Sequence, residues 1–305
     1  MKDGRLRCLQ LFLWIAVIWL GGAHPAAADR PLNVYVVNYP LKYFAQRIGG
    51  DHIKATLPVP ENVDPVYWTP GIADIGAYQQ ADLILLNGAG YAKWVSKVSL
   101  PRSKTVDTSR LFKDRYITVK ETMTHSHGAE GEHAHEGLAF TTWLDLSLAA
   151  KQAEAIADAL IRKRPQHKDR FMTNYQSLQK DLLALDSRIK AIVSSNNTAP
   201  VIFSHPVYEY FEKAYGLNGK SVHWEPDEIP TPDYIAELNK IHETHRAKWM
   251  IWEGDPIKSA VDVLVAMDIQ SAFIDPCGNA PDQGDFLSVM RQNVENLKPV
   301  FNIID

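Results

Sequence analysis

Seven side chains able to bind a metal fall into two groups in this sequence. His125, His127, His133 and His135 form two His-x-His pairs within residues 124–137 (THSHGAEGEHAHEG), separated by a spacer containing Gly and Glu. The tract has no large apolar residue, so it cannot pack a core. Its imidazoles and carboxylates can converge on a transition metal without a fixed fold. A solvated loop with incidental histidines is the plainer reading, but the uneven composition favours metal. The second group, His205, Glu253 and Asp275, ends three short apolar segments at 201–204, 249–252 and 272–274. Each has an ordinary explanation alone: a helix cap, pairing with Arg246 or Lys248, and a turn before Pro276. As a set they read as a metal site, because ligands of open α/β sheets bind outside the carboxyl ends of the strands.

The elements that would position them alternate along the chain. Segments 32–38, 52–57 and 82–87 read as buried strands in the first half, with 221–223 added to the three strands of the second half. Helical periodicity covers 41–48, 72–80, 91–98, 146–163, 208–215, 234–245 and 285–297. Strands alternating with helices imply parallel pairing. The Gly88-Ala89-Gly90 turn is too short for a dinucleotide fingerprint. Between the halves, Phe171, Tyr175, Leu178, Leu182, Leu185, Ile189 and Ile192 make one apolar stripe on a helix of about 30 residues, roughly 45 Å long. The expected fold class is α/β: two lobes, each a mostly parallel sheet flanked by helices, joined by one long rigid helix. The boundaries follow: residues 29–165 for the N-terminal lobe, with the His-rich loop at 124–137, then 166–196 for the linking helix and 197–305 for the C-terminal lobe.

Residues 1–28 read as a signal peptide. Lys2, Arg5 and Arg7 precede an apolar run at 9–20, which is short of the roughly 20 residues that span a bilayer, and Ala26-Ala27-Ala28 offers a cleavage site. Cys8 lies in the charged segment rather than at that site, so no lipid anchor is indicated. Cleavage removes three basic residues and one acidic one, taking the formal charge from -4 to -6, which argues against a nucleic-acid partner. Only Cys277 remains, so no internal disulfide can form. At 46% hydrophobic and 22% charged residues the composition is globular.

These features together carry a resemblance. Tyr39-Pro40 after the first strand, Asp64-Pro65 in a Pro-rich loop, the His-rich insert before Thr141-Thr142-Trp143-Leu144-Asp145, the long helix, Ser204-His205 and Ile274-Asp275-Pro276 resemble the metal-specific, zinc or manganese type, solute-binding proteins of ABC importers. The resemblance implies one metal, zinc foremost, held between the lobes as transported ligand. It also implies periplasmic location, an ABC permease of the inner membrane as partner, a monomer and no catalysis. His205 and Asp275 carry over as ligands; Glu253 rests on strand position alone. The family's two N-lobe histidines fall at Val66 and Thr141, so this is a divergent member. His133 or His135 folding back, or Cys277, could replace them, or the cleft could be reshaped around Tyr67, Trp68, Trp143 and Trp224 for an apolar or chelated ligand. The main alternative is a metal buffer or sensor binding through the His-rich loop; a metallohydrolase using His205, Glu253 and Asp275 is a further one.

Overall fold

A computed structural model describes residues 30–302 apart from Asn62 and residues 127–131, and for residues 120–136 it describes the backbone alone. The expected signal peptide at 1–28 lies outside the described residues, as does His127. The first lobe contains β1 (Leu32–Val36), α1 (Tyr39–Gly49), β2 (Ile53–Thr56), α2 (Ile72–Gln80), β3 (Leu83–Leu86) and β4 (Thr105–Asp107). Its four strands pair in parallel in the order β2-β1-β3-β4. Strand β4 was not expected, since three residues are too few to show a periodicity. Tyr39-Pro40 opens α1 rather than preceding it: Asn38 accepts the Leu41 N–H, and Pro40 sits in the first turn, where its missing N–H costs no bond. Residues 91–98 form a short 3-10 segment, Lys93–Lys97, not an α-helix. The turn before it needs glycine: Gly88 has φ +80°, and a Cβ there would lie 1.8 Å from Ser109 Oγ.

The His-rich tract, expected to lack a fixed fold, has a regular backbone on both sides of the gap. β5 (Thr118–Ser126) and β6 (Glu132–Leu138) pair antiparallel, with His125 opposite His133. Thr and Val, which favour strands, populate the first of these strands. The side chains of His125, His133 and His135 lie outside the described residues.

Then follow α3 (Leu146–Lys163), the long α4 (Lys168–Ser194), β7 (Pro200–Phe203), α5 (Glu209–Tyr215), β8 (Asn218–Ser221), α6 (Pro232–His245), β9 (Trp249–Trp252), α7 (Lys258–Ala266), β10 (Gln270–Phe273) and α8 (Phe286–Val300). The second sheet is parallel, in the order β10-β9-β7-β8. Strand β8 ends at Ser221, earlier than expected, which leaves His223 and the residues after it in a loop. No helix among the described residues is long and apolar enough to cross a membrane.

Every residue of the α4 stripe is buried, from Phe171 to Ile192. These side chains belong to one apolar core that includes Val34, Leu85 and Phe44 of the first lobe and Phe203, Ile251 and Leu297 of the second. Both lobes accordingly fall within one compact unit beginning at Pro31. A smaller cluster around Trp224, Trp252 and Leu264 packs α6 and α7 on the far face of the second sheet. Leu182 is fully buried in the stripe, so Leu182→Ala should destabilise the chain by about 2–5 kcal/mol. Urea denaturation monitored by circular dichroism measures this; a loss below about 1 kcal/mol would mean that the stripe is not the shared core.

Candidate metal centre in the interlobe cleft

The order of the second sheet places β8 and β9 on opposite sides of β7, which opens a crevice at their carboxyl ends. The hydrogen-bond ladder continues past the strands. Ser204 N–H donates to Ile251 O (2.9 Å), Trp224 N–H to Ser204 O (2.7 Å) and Ile274 N–H to Trp252 O (2.9 Å). These bonds hold the residues that follow each strand side by side. His205, Glu225 and Glu253 each bring one ligand atom to a cluster in which all lie within 4.8 Å of one another. The His205 Nδ1 to Glu225 Oε1 distance is 3.4 Å. Among the described residues, this is the one such grouping of three donors.

The observed set differs from the expected one in a single member. The grouping includes Glu225, which sequence reasoning missed, and does not include Asp275. Asp275 lines the same cleft but turns its Oδ1 back to accept the Cys277 N–H at 2.6 Å, and Asn293 brackets its backbone. The signal for Glu225 was available, since a carboxylate shortly after a strand of this sheet is what selected Glu253 and Asp275. Cys277 is buried, and its thiol contacts the Asn279 carbonyl at 3.9 Å. Burial first, then the nearby Asp275 and Asp285, push that thiol far up, so it is no ready source of thiolate.

The cleft has a volume of 440 Å³ and is bounded by both lobes. Val66 and Thr141 line it, both buried, so the positions of the family histidines do face the cleft. Neither supplies a strong donor: Val66 presents methyl groups, and the Thr141 hydroxyl donates to Val207 O at 2.6 Å. Asn87 orders this wall. Its amide donates to Phe140 O (2.8 Å), while its own oxygen accepts from Asn38 and Gln152. Of the four aromatic residues considered for a reshaped cleft, Trp143 alone lines it, its indole N–H donating to Pro276 O at 2.7 Å. Tyr67 is exposed beneath Lys93, Trp68 packs edge-on against Trp94, and Trp224 lies in the smaller core. Tyr91 and Phe140 take the places in the wall that those three do not.

Asn279 ties the two sides together. Its side-chain amide reaches the carbonyls of Pro60 (2.8 Å), Glu61 (3.1 Å) and Val63 (2.9 Å), and Tyr39 N–H donates to Gly278 O (2.9 Å).

The family described as zinc-uptake complex component A, periplasmic (ZnuA) matches residues 34–300. The chain belongs to this family. Among relatives, it is 24% identical over 283 residues to the zinc-binding lipoprotein AdcA of Streptococcus pneumoniae, covering 89% of this chain and 56% of AdcA, so it spans little more than half of that protein. It is 27% identical over 319 residues to the manganese ABC transporter substrate-binding lipoprotein PsaA of Streptococcus anginosus, covering 97% of each. The fold matches that of the Zn(II)-bound ZnuA-like domain of S. pneumoniae AdcA, with a TM-score of 0.75 at 20% identity over 89% of this chain and 99% of that one. The metal-dependent lipoprotein YcdH of Bacillus subtilis gives 0.74 at 21% identity over 88% and 98%. ZnuA-family architecture, two α/β lobes and a long helix, is therefore this chain's architecture.

Glu253 carries the main electrostatic strain of the site. Burial, followed by the carboxylates of Glu225, Asp64 and Asp275, raises its pKa from 4.5 to about 8. The folded, metal-free chain thus holds a proton that the unfolded chain releases near pH 4.5. The associated stability is complete below about pH 4.5 and is lost as pH rises through about 8. Glu253→Gln should flatten that decline, leaving the metal-free variant more thermostable than wild type at pH 8 and little different at pH 4.5. Melting curves at several pH values test this; parallel declines for the two proteins would show that Glu253 is not the strained group.

Proposed function

We propose that this protein is an extracytoplasmic solute-binding protein that captures a divalent metal, zinc foremost, in the interlobe cleft and delivers it to an ABC permease. The observation that carries the reading is the convergence of His205, Glu225 and Glu253 within 4.8 Å beside the cleft. An imidazole with two carboxylates suits zinc and also manganese, the metals named for AdcA and PsaA. His205, Glu225 and Glu253 are assigned as ligands, with Asp275 at the cleft edge as an auxiliary oxygen. Ligation through Glu253 requires loss of its proton, so metal uptake releases protons near neutral pH. His125, His127, His133 and His135 are assigned a separate, weaker metal-collecting role, in keeping with the His- and Glu-rich composition of 124–137. The protein acts in the periplasm, after removal of residues 1–28, as a monomeric carrier and not as an enzyme. A cargo that must be handed on calls for exchangeable ligands rather than a chemical step.

Titration calorimetry with zinc on a chain lacking residues 125–135 is the test. One tight site per chain should persist, and His205→Ala in that background should weaken it by at least about tenfold, or 1.4 kcal/mol. Disappearance of tight binding on deletion alone would transfer the function to the His-rich tract and make the protein a buffer or sensor. Unchanged affinity in a folded His205→Ala chain would remove His205 from the site.

A further inference from the structure

The His-rich tract has a regularity beyond its composition. In the ribbon of β5 and β6, His125 stands directly opposite His133, between the pairs Thr124–Ala134 and Ser126–Glu132. His135 follows two residues further along β6. Successive strand residues alternate between the two faces, so the positions of His125, His133 and His135 share one face. Glu132, Ala134 and Glu136 take the other. A shift of one residue in the pairing would part His125 from the other two. Apolar packing does not select this register, because no large apolar residue lies between Thr124 and His135, and a two-stranded ribbon is marginally stable in water. The base of the ribbon is tied to the lobe: Ala139 N–H donates to Ile117 O at 2.9 Å, and Val119 packs against the core. Further out, β5 has three residues, 121–123, opposite the single His135. Bulges of this kind bend a strand and re-aim side chains next to functional sites.

Building on the metal-collecting reading of this tract, we propose that His125, His133 and His135 form one defined site for a single zinc-class ion, which staples the two strands in this register. Opposed strand residues have Cβ atoms roughly 4.5–5.5 Å apart, and residues two apart on a strand are separated by about 6–7 Å. Three imidazoles on such positions can close on one ion at about 2.0–2.1 Å from each nitrogen, and sets of three histidines hold zinc with a fourth position open to water. That open position lets the ion exchange, as a collecting site requires. Neutral imidazoles favour zinc, copper(II) and nickel(II) over manganese, which stands lowest in the divalent series. The ribbon thus differs in chemistry from the cleft, where one imidazole is joined by carboxylates.

Zinc titration calorimetry on the full chain tests this, with a variant that exchanges two neighbours, His133→Ala together with Ala134→His. The exchange keeps the composition and the number of histidines but moves one imidazole to the opposite face. Beside the tight cleft site, the parent chain should bind one further zinc. In the exchanged chain that weaker binding should fall by at least about tenfold, with the tight site unchanged within about twofold. Unaltered weaker binding would show that composition alone collects the metal; it overturns the defined site and leaves the collecting role standing. Absence of a second zinc in the parent chain overturns both. Glu132→Gln with Glu136→Gln should leave the weaker site within about twofold, whereas a tenfold loss would put carboxylates in its shell and refute the all-imidazole set. Manganese should occupy no second site, and a second manganese held as tightly as the second zinc would refute that set equally. Should the exchange disturb the ribbon itself, His125→Ala removes one donor without moving another. It should cost the weaker site at least about tenfold, and unchanged binding there overturns the proposal.

Discussion

Burial of one apolar stripe on α4 is the constraint on which the rest of the molecule depends. Phe171, Tyr175, Leu178, Leu182, Leu185, Ile189 and Ile192 pack into a core that draws on both sheets. Two lobes that share a core cannot rotate freely about a hinge without exposing it, and apolar exposure costs about 25 cal/mol per Å². The carboxyl edges of the two sheets therefore keep a set separation, and the cleft between them is largely formed before a ligand arrives. Asn279, holding the loop at 60–63 from the opposite side, reinforces that geometry.

Within the preformed cleft the chemistry is strongly one-sided. The second lobe supplies an imidazole and several carboxylates, and burial first, then the neighbouring carboxylates Glu225, Asp64 and Asp275, raise the pKa of Glu253 to about 8. On the proposed assignment, a bound cation would offset that charge and displace the proton, so the residues that destabilise the metal-free fold would favour the loaded one. The first lobe supplies a further carboxylate, Asp64, and shape. Val66, Phe140 and Trp143 form an apolar wall whose position is set by the Asn87–Gln152 hydrogen bonds and by the Trp143 indole on Pro276 O.

Much of this was legible in the residues. The α4 stripe was readable because alternating spacings of three and four leave one helical face, and burial followed on every member. Strand-end position found His205 and Glu253, since parallel strands 201–204 and 249–252 were apolar enough to recognise. Glu225 was not found because β8 (Asn-Gly-Lys-Ser) has no apolar pattern, and the bond that seats Trp224 on Ser204 joins residues 20 apart in the chain. Asp275 lies at the cleft outside the grouping of three, with its Oδ1 accepting the N–H of Cys277, whose left-handed φ of +57° could not be read from its neighbours. Of the aromatic residues named from the sequence, only Trp143 lines the cleft. Tyr91 and Phe140 escaped because a helix was expected at 91–98, and loop side chains have no periodicity to betray which way they face.

The central claim is that the cargo metal is bound by one imidazole and carboxylate oxygens from a single lobe. X-ray absorption spectroscopy at the zinc edge, on the zinc-loaded chain with residues 125–135 removed, counts the imidazoles around the metal directly. An innermost shell dominated by oxygen with a single protein imidazole is expected, with loss of that imidazole's outer-shell scattering in His205→Ala. A shell containing two or more imidazoles, or a thiolate sulfur, would contradict it.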